Sequence, residues 1–254
     1  MPDSVNADAH TAVLPLEGRR VVISGGSTGI GRAIAVLLAT EGARVFIGAS
    51  TPEHLDDALA RIREVGTGDG VVLDLAEPDN VGRFLEAARD VMGGYNVIVA
   101  NAAVGASGVT EMDEPTLRHA ISLNFTHYLL LAHQAAKAMG GEGDIVLVGS
   151  MSAYVLGPHS TVYAGIKAGI QGFSVALRRE LGPKGIRVAL VEPGMTGSTM
   201  QEPDISPEEQ REQIGEEKML RAEDIAAGVH YLLTQPRRTV IQRLTISPRV
   251  QDQE

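Results

Sequence analysis

The feature that most constrains this chain is a repeating unit: a short, unbroken apolar run followed by a longer amphipathic stretch. Val21-Val22-Ile23 precedes Ile30 to Glu41, and Val45-Phe46-Ile47 precedes Pro52 to Val65. Val71-Val72-Leu73 is followed by Val81 to Met92, Val97-Ile98-Val99 by Leu117 to Met139, and Ile145-Val146-Leu147-Val148 by Val162 to Leu181. Val188-Ala189-Leu190-Val191 then leads to a helical stretch near Ala222 to Thr234 and a last strand near Val240 to Ile246. Runs that are apolar at every position, rather than at alternate ones, belong to strands covered on both faces. Strand-helix alternation makes those strands parallel, with right-handed crossovers. The expected fold is therefore α/β, with a doubly wound, parallel seven-stranded sheet.

Local punctuation agrees. Thr51-Pro52-Glu53 supplies an N-cap, a proline at the first helical position and an early acid, while Gly42, Gly66 and Gly182 fall where helices want a left-handed residue. Residues 1–17 lack periodicity and read as a mobile tail; residues 18–254 read as one domain, since α/β chains of 254 residues often close around a single core. Residues 197–218, rich in Pro, Ser and Glu, read as a substrate lid, with Glu208, Glu209, Glu212, Glu216 and Glu217 on an exposed face.

Composition removes several classes of function. With no cysteine, disulfides, thiolate metal sites and a Cys nucleophile are excluded. A net charge of −10 argues against nucleic acid and anionic membranes. No apolar run approaches a membrane span and the amino terminus has no basic n-region, so a cytoplasmic protein is expected. His119, His127 and His133 share a helix at separations unsuited to paired ligands, so no metal site is expected. Arg237-Arg238 reads as a solvated turn, with a subunit contact as the alternative, and Met195, Met200 and Met219 either line an apolar pocket or pack ordinarily.

Glycine, at 29 residues, exceeds the usual share, and its positions carry chemistry. Ser24-Gly25-Gly26-Ser27-Thr28-Gly29-Ile30-Gly31 joins the first strand to the first helix. Such a turn lets backbone approach a pyrophosphate, whose charge meets free N–H groups and the positive helix end. Tyr163 and Lys167 stand four residues apart, on one helix face, where an ammonium lowers a phenol's pKa towards acid/base work. Ser150 follows the fifth strand, at the end of the sheet where such folds place ligands, and can hold a substrate carbonyl.

Taken in order, the Gly25/Gly29/Gly31 turn, Asp74-Leu75, Asn101-Ala102-Ala103, Asn124, Ser150, Tyr163-x3-Lys167 and Pro193-Gly194 resemble the short-chain dehydrogenase/reductase superfamily in its one-domain Rossmann form, across residues 18–248. The C-terminal pattern is similar to the NADP-dependent branch containing hydroxy-acid and clavulanate-type dehydrogenases. The resemblance implies hydride transfer, with Tyr163 as general acid/base, Lys167 lowering its pKa and holding the nicotinamide ribose, Ser150 polarising the carbonyl, and Asn124 supporting a proton relay. It places the pyrophosphate and adenosine ribose on Gly25, Ser27, Thr28, Gly29, Ile30 and Gly31, and adenine on Asp74 and Leu75. Asn101, Ala102 and Ala103 would meet the middle of the cofactor, and Pro193, Gly194, Thr196 and Ser198 the nicotinamide amide. It also implies a small carbonyl or alcohol substrate and a homo-oligomer, dimer or tetramer, paired through the long helices. Departures are Ser24 for threonine, Ala103 for glycine, Gly149 for a first serine, and no Asp-Gly-Gly ending.

Cofactor choice is made after the second strand. Ala49, Ser50 and Thr51 offer hydroxyls and no acid, so nothing there repels a 2′-phosphate: NADP(H) is expected over NAD(H). The alternatives are an NAD(H)-preferring member of the same family or a non-catalytic dinucleotide sensor or scaffold. A methyltransferase would use the glycine turn but has no need of Tyr-x3-Lys.

Overall fold

The computed structural model describes residues 13–202 and 204–250. Its elements run β1 (Arg20–Ser24), α1 (Gly29–Thr40), β2 (Arg44–Ala49), α2 (Pro52–Val65), β3 (Thr67–Val72), α3 (Pro78–Met92), β4 (Val97–Ala100), α4 (Glu114–Ile121), α5 (His127–Ala138), β5 (Gly143–Val148), α6 (Thr161–Leu181), β6 (Ile186–Pro193), α7 (Pro207–Gly215), α8 (Ala222–Leu233) and β7 (Arg243–Ile246). The seven strands form one parallel sheet in the order β3-β2-β1-β4-β5-β6-β7. Strand order reverses between β1 and β4, and in such sheets a crevice opens there at the carboxyl ends.

The unbroken apolar runs are explained by the two cores. Val21 and Ile23 of β1 join α1, α2 and α8 on one face, while Val22 joins α3, α5 and α6 on the other. The same alternation divides β4 (Val97 and Val99 against Ile98 and Ala100) and β5 (Val146 and Val148 against Ile145 and Leu147). Among the described residues, no helix is long and apolar enough to cross a membrane.

The structure corrects several boundaries. The third strand starts at Thr67 and includes Gly68, Asp69 and Gly70, residues with poor strand propensity. A side chain on Gly68 would lie 2.4 Å from the Ile62 side chain, so α2 lies too close for a larger residue. Gly66 and Gly182 are not left-handed caps; Gly185, at φ 82°, takes that conformation three residues past Gly182. Residues 1–12 of the expected tail lie outside the described residues. Within 13–17, Leu16 is buried in the core and the Leu14 N–H bonds the Thr234 carbonyl at 2.7 Å. The long central helix is broken into α4 and α5 by a π turn, Ser122–Thr126.

Arg237 is no solvated turn residue. At the amino end of β5 the buried Asp144 accepts from Arg19 (2.5 Å), Arg187 (2.5 Å) and Arg237 (3.0 Å), tying β1, β5, β6 and the segment before β7 together. Arg187 also donates to the carbonyls of Leu233 and Gln235. The sequence spacing of these four residues, spread over more than two hundred positions, carries no local signal of the cluster.

Candidate active site

The crevice at the carboxyl ends of the strands is lined by Gly25, Ser27–Ile30, Ser50, Asp74, Leu75, Asn101–Ala103, Ser150, Tyr163, Lys167, Pro193, Gly194, Thr196 and Ser198. One cavity thus gathers nearly every residue singled out from the sequence. Gly31, Thr51 and Asn124 stand behind its wall. A side chain on Gly31 would lie 2.1 Å from the Gly25 carbonyl oxygen, so the turn closes only on glycine.

The turn is held from β4. Ser24 Oγ accepts from the N–H groups of Asn101 (3.0 Å) and Ala102 (3.1 Å), and Asn101 Nδ2 donates to the carbonyls of Ser24 (3.2 Å) and Gly25 (3.0 Å). Serine at position 24 keeps the hydroxyl this lattice needs. The Asn101 amide therefore braces the turn as well as bordering the crevice. α1, like α5 and α6, carries no acid in its first turn, whereas α2, α3, α4, α7 and α8 each place at least one there. A helix start without its own carboxylate keeps its N–H groups and positive end for an external anion. The glycine cradle and this bare helix end fit a dinucleotide's pyrophosphate.

After β2, Ser50 is exposed and Thr51 caps α2 without a side-chain bond to it. Asp74 accepts from the Ala76 N–H at 2.9 Å, which shapes the loop beneath the crevice, and Leu75 is buried under it. Thr196 donates to the Gly194 carbonyl at 2.9 Å, fixing the loop after β6. Gly149 also has its reason: a side chain there would come within 3.0 Å of Leu190 and 3.3 Å of the buried Glu192.

Just past the carboxyl end of β5, Ser150 Oγ accepts from the Ser152 N–H at 3.1 Å. Asn124 is fully buried in the π turn and uses both ends of its amide on Val104, accepting its N–H (2.8 Å) and donating to its carbonyl (2.7 Å). Lys167 Nζ donates to the Val148 carbonyl at 3.0 Å and lies 5.4 Å from the centre of the Tyr163 ring. Burial lowers its pKa to about 8. Tyr163, by contrast, is pushed up to about 12 by burial, against the opposing pull of the Ser150 hydroxyl. Burial therefore sets the direction for the phenol, with the Ser150 hydroxyl as the opposing pull, and the lysine ammonium's own hydrogen bond runs to Val148 rather than to Tyr163.

Sequence reasoning missed two contributors. The acidic stretch is not irregular: Ser206 and Glu209 form a capping box that starts α7, a signal readable as S-x-x-E. From α7, Gln210 is buried and reaches back to the N–H and carbonyl of Ser198, so α7 is latched to the loop at the crevice edge. Met195 and Met200 line the crevice while Met219 is packed inside. The second is Tyr128, one helical turn beyond Asn124. It is fully buried and its hydroxyl donates to the same Val148 carbonyl at 3.1 Å. His127, also buried, has Nδ1 3.2 Å from the Leu123 carbonyl, and burial lowers its pKa to about 4. Among the described residues, no group of three His, Cys, Asp or Glu could hold a metal ion.

The family model described as short chain dehydrogenase matches residues 19–209. This chain belongs to the short-chain dehydrogenase/reductase family. Among characterised relatives, L-rhamnose-1-dehydrogenase of Scheffersomyces stipitis is 34% identical over 205 residues, covering 77% of this chain and 80% of the relative. A short-chain dehydrogenase from Burkholderia cenocepacia, solved in complex with NADP, superposes with a TM-score of 0.82 at 30% identity, covering 92% of this chain and 98% of that one. A Serratia marcescens short-chain dehydrogenase/reductase gives 0.81 at 28%, with 91% and 97% covered. As a member of this family the chain is an oxidoreductase.

Proposed function

We propose that this oxidoreductase moves a hydride between NADP(H) and a ketone or secondary alcohol. The observation that carries the reading is the convergence of Ser150, Tyr163 and Lys167 on one crevice with the glycine turn and bare helix end of α1. The cofactor, when bound, supplies or accepts the hydride. Gly25, Ser27, Thr28, Gly29, Ile30 and Gly31 would hold its pyrophosphate and adenosine ribose. Asp74 and Leu75 would meet adenine; Asn101, Ala102 and Ala103 its middle; Pro193, Gly194, Thr196 and Ser198 the nicotinamide amide. Ser50 and Thr51, with no carboxylate beside them, favour the 2′-phosphate, and NADP in the Burkholderia relative supports the same choice.

In the reducing direction, the Ser150 hydroxyl bonds the substrate oxygen and Tyr163 gives that oxygen its proton. A phenol raised to about 12 stays protonated across the neutral range, which suits an acid. The Lys167 ammonium, still largely protonated at pH 7 with a pKa of about 8, favours the phenolate left behind. Asn124 holds the Val104 loop and so the wall beside the reacting carbon. The protein works as a cytoplasmic dimer or tetramer in this reading.

The test is Tyr163→Phe, assayed over an alcohol and ketone panel with NADP(H) and NAD(H). Turnover should fall at least about a thousandfold, the order expected for a lost general acid, with cofactor affinity within a few-fold of the parent. A variant that keeps turnover removes the acid/base role; a parent that binds cofactor but turns over nothing favours the sensor reading.

A further inference from the structure

Lys167 is a buried ammonium with no carboxylate beside it among the described residues; its shift has burial as its cause. What surrounds Nζ is one carbonyl and two aromatic rings. The Val148 carbonyl accepts from it at 3.0 Å, the Tyr163 ring centre is 5.4 Å away, and the Tyr128 ring centre is 5.3 Å away. Tyr128 enters from a different element, α5, and its hydroxyl donates to the same Val148 carbonyl. An ammonium within about 6 Å of a ring centre is attracted by the ring's quadrupole, and more so when both are out of water.

We propose that Tyr128 is a positioning residue for Lys167: its ring backs the ammonium and its hydroxyl shares the carbonyl that anchors it. The proposal rests on the reading of Lys167 as the lysine of the active site, but its test does not. Tyr128 reaches the reacting atoms only through Lys167. Its place follows from the π turn, which carries the helix from Asn124 into α5 so that Asn124 bonds Val104 and Tyr128, four residues on, bonds Val148. The ionisable groups beside the ammonium are Tyr163 on its own helix and Tyr128 on α5, with His127 packed edge-on to Tyr128 at 5.3 Å between ring centres. His127 is neutral above pH 6, since burial lowers it to about 4, so it does not compete in the range where Lys167 titrates.

The chain has only four lysines, so Lys167 can be followed directly. In protein labelled with 13C at lysine Cε, the Lys167 signal is assigned by its loss in Lys167→Arg, and its titration is read by NMR between pH 6 and 11. A cation-π contact favours the charged form, so removing the ring in Tyr128→Leu should move the midpoint down by about one pH unit. Tyr128→Phe, which keeps the ring, should move it by less than half as much. Where Tyr128→Leu does not fold, Tyr128→Met carries the same test. Equal midpoints in parent and the ring-free variant overturn the proposal, as does a Phe variant that shifts as far as Leu. A parallel titration of NADPH affinity separates the two levels: if Lys167→Ala leaves NADPH affinity unchanged, the cofactor role of Lys167 is wrong, whatever the NMR midpoints show about Tyr128.

Discussion

The sheet buries a charge at each of its ends, and the two are treated in opposite ways. At the amino end, Asp144 is surrounded by three guanidiniums, of which Arg187 and Arg237 also donate to backbone carbonyls and Arg19 to the Asn96 side chain. At the carboxyl end, Lys167 has one carbonyl, two ring faces and no counter-ion among the described residues. A charge that only holds strands together is compensated fully, because leaving it bare in the interior is costly. The charge that acts on a proton in the proposed mechanism is left uncompensated, and burial lowers its pKa to about 8.

The contrast can be broken from either end. Asp144→Ala leaves three guanidiniums facing one another and should cost about 3–5 kcal/mol in denaturant unfolding, with NADPH affinity of the folded fraction little changed. Lys167→Met should do the reverse: turnover lost, and the protein more stable at pH 7 by up to about 3 kcal/mol. The sign follows from a folded-state pKa below the unfolded one. Below pH 8 the lysine is charged in both states and the penalty is whole; between about 8 and 10.5 the folded state sheds its proton first and the penalty disappears. The advantage of the methionine variant should therefore shrink across that window; an advantage independent of pH would mean packing, not charge, set it. The smallest expected effect sharpens the carboxyl end alone. Ser50→Asp, placing an acid after β2, should lower the NADPH-to-NADH ratio of kcat/KM by about tenfold, roughly 1.4 kcal/mol.

The two ends differ equally in how far they could be read from residues. The strands, crossovers and most of the crevice follow from local patterns: β-branched runs, a glycine turn, a Tyr and a Lys one helical turn apart. Asp144 and its arginines meet only in the folded sheet, and Arg237 read alone looks like any exposed turn residue. β3 was half hidden because an edge strand tolerates glycine where a helix presses on it. Tyr128 was missed because a buried aromatic on a helix is ordinarily core, and only the position of the Val148 carbonyl gives its hydroxyl a task. The raised pKa of Tyr163 also needs coordinates, since desolvation depends on what covers the ring.

The bonds from Asn101 to Ser24 and Gly25 join residues 77 and 76 positions apart, and β1 lies between β2 and β4 in the sheet. On a ribosome, the glycine turn is among the first structured pieces to emerge, yet its brace is not made until β4 follows. β7, which completes the edge beside β6, comes only with residues 243–246. At roughly 5–20 residues per second, several seconds of synthesis separate the first strand from its central neighbour. The glycine turn is thus unfinished when it emerges, and a nascent chain cut short before residue 97 would carry the motif without the strand that braces it.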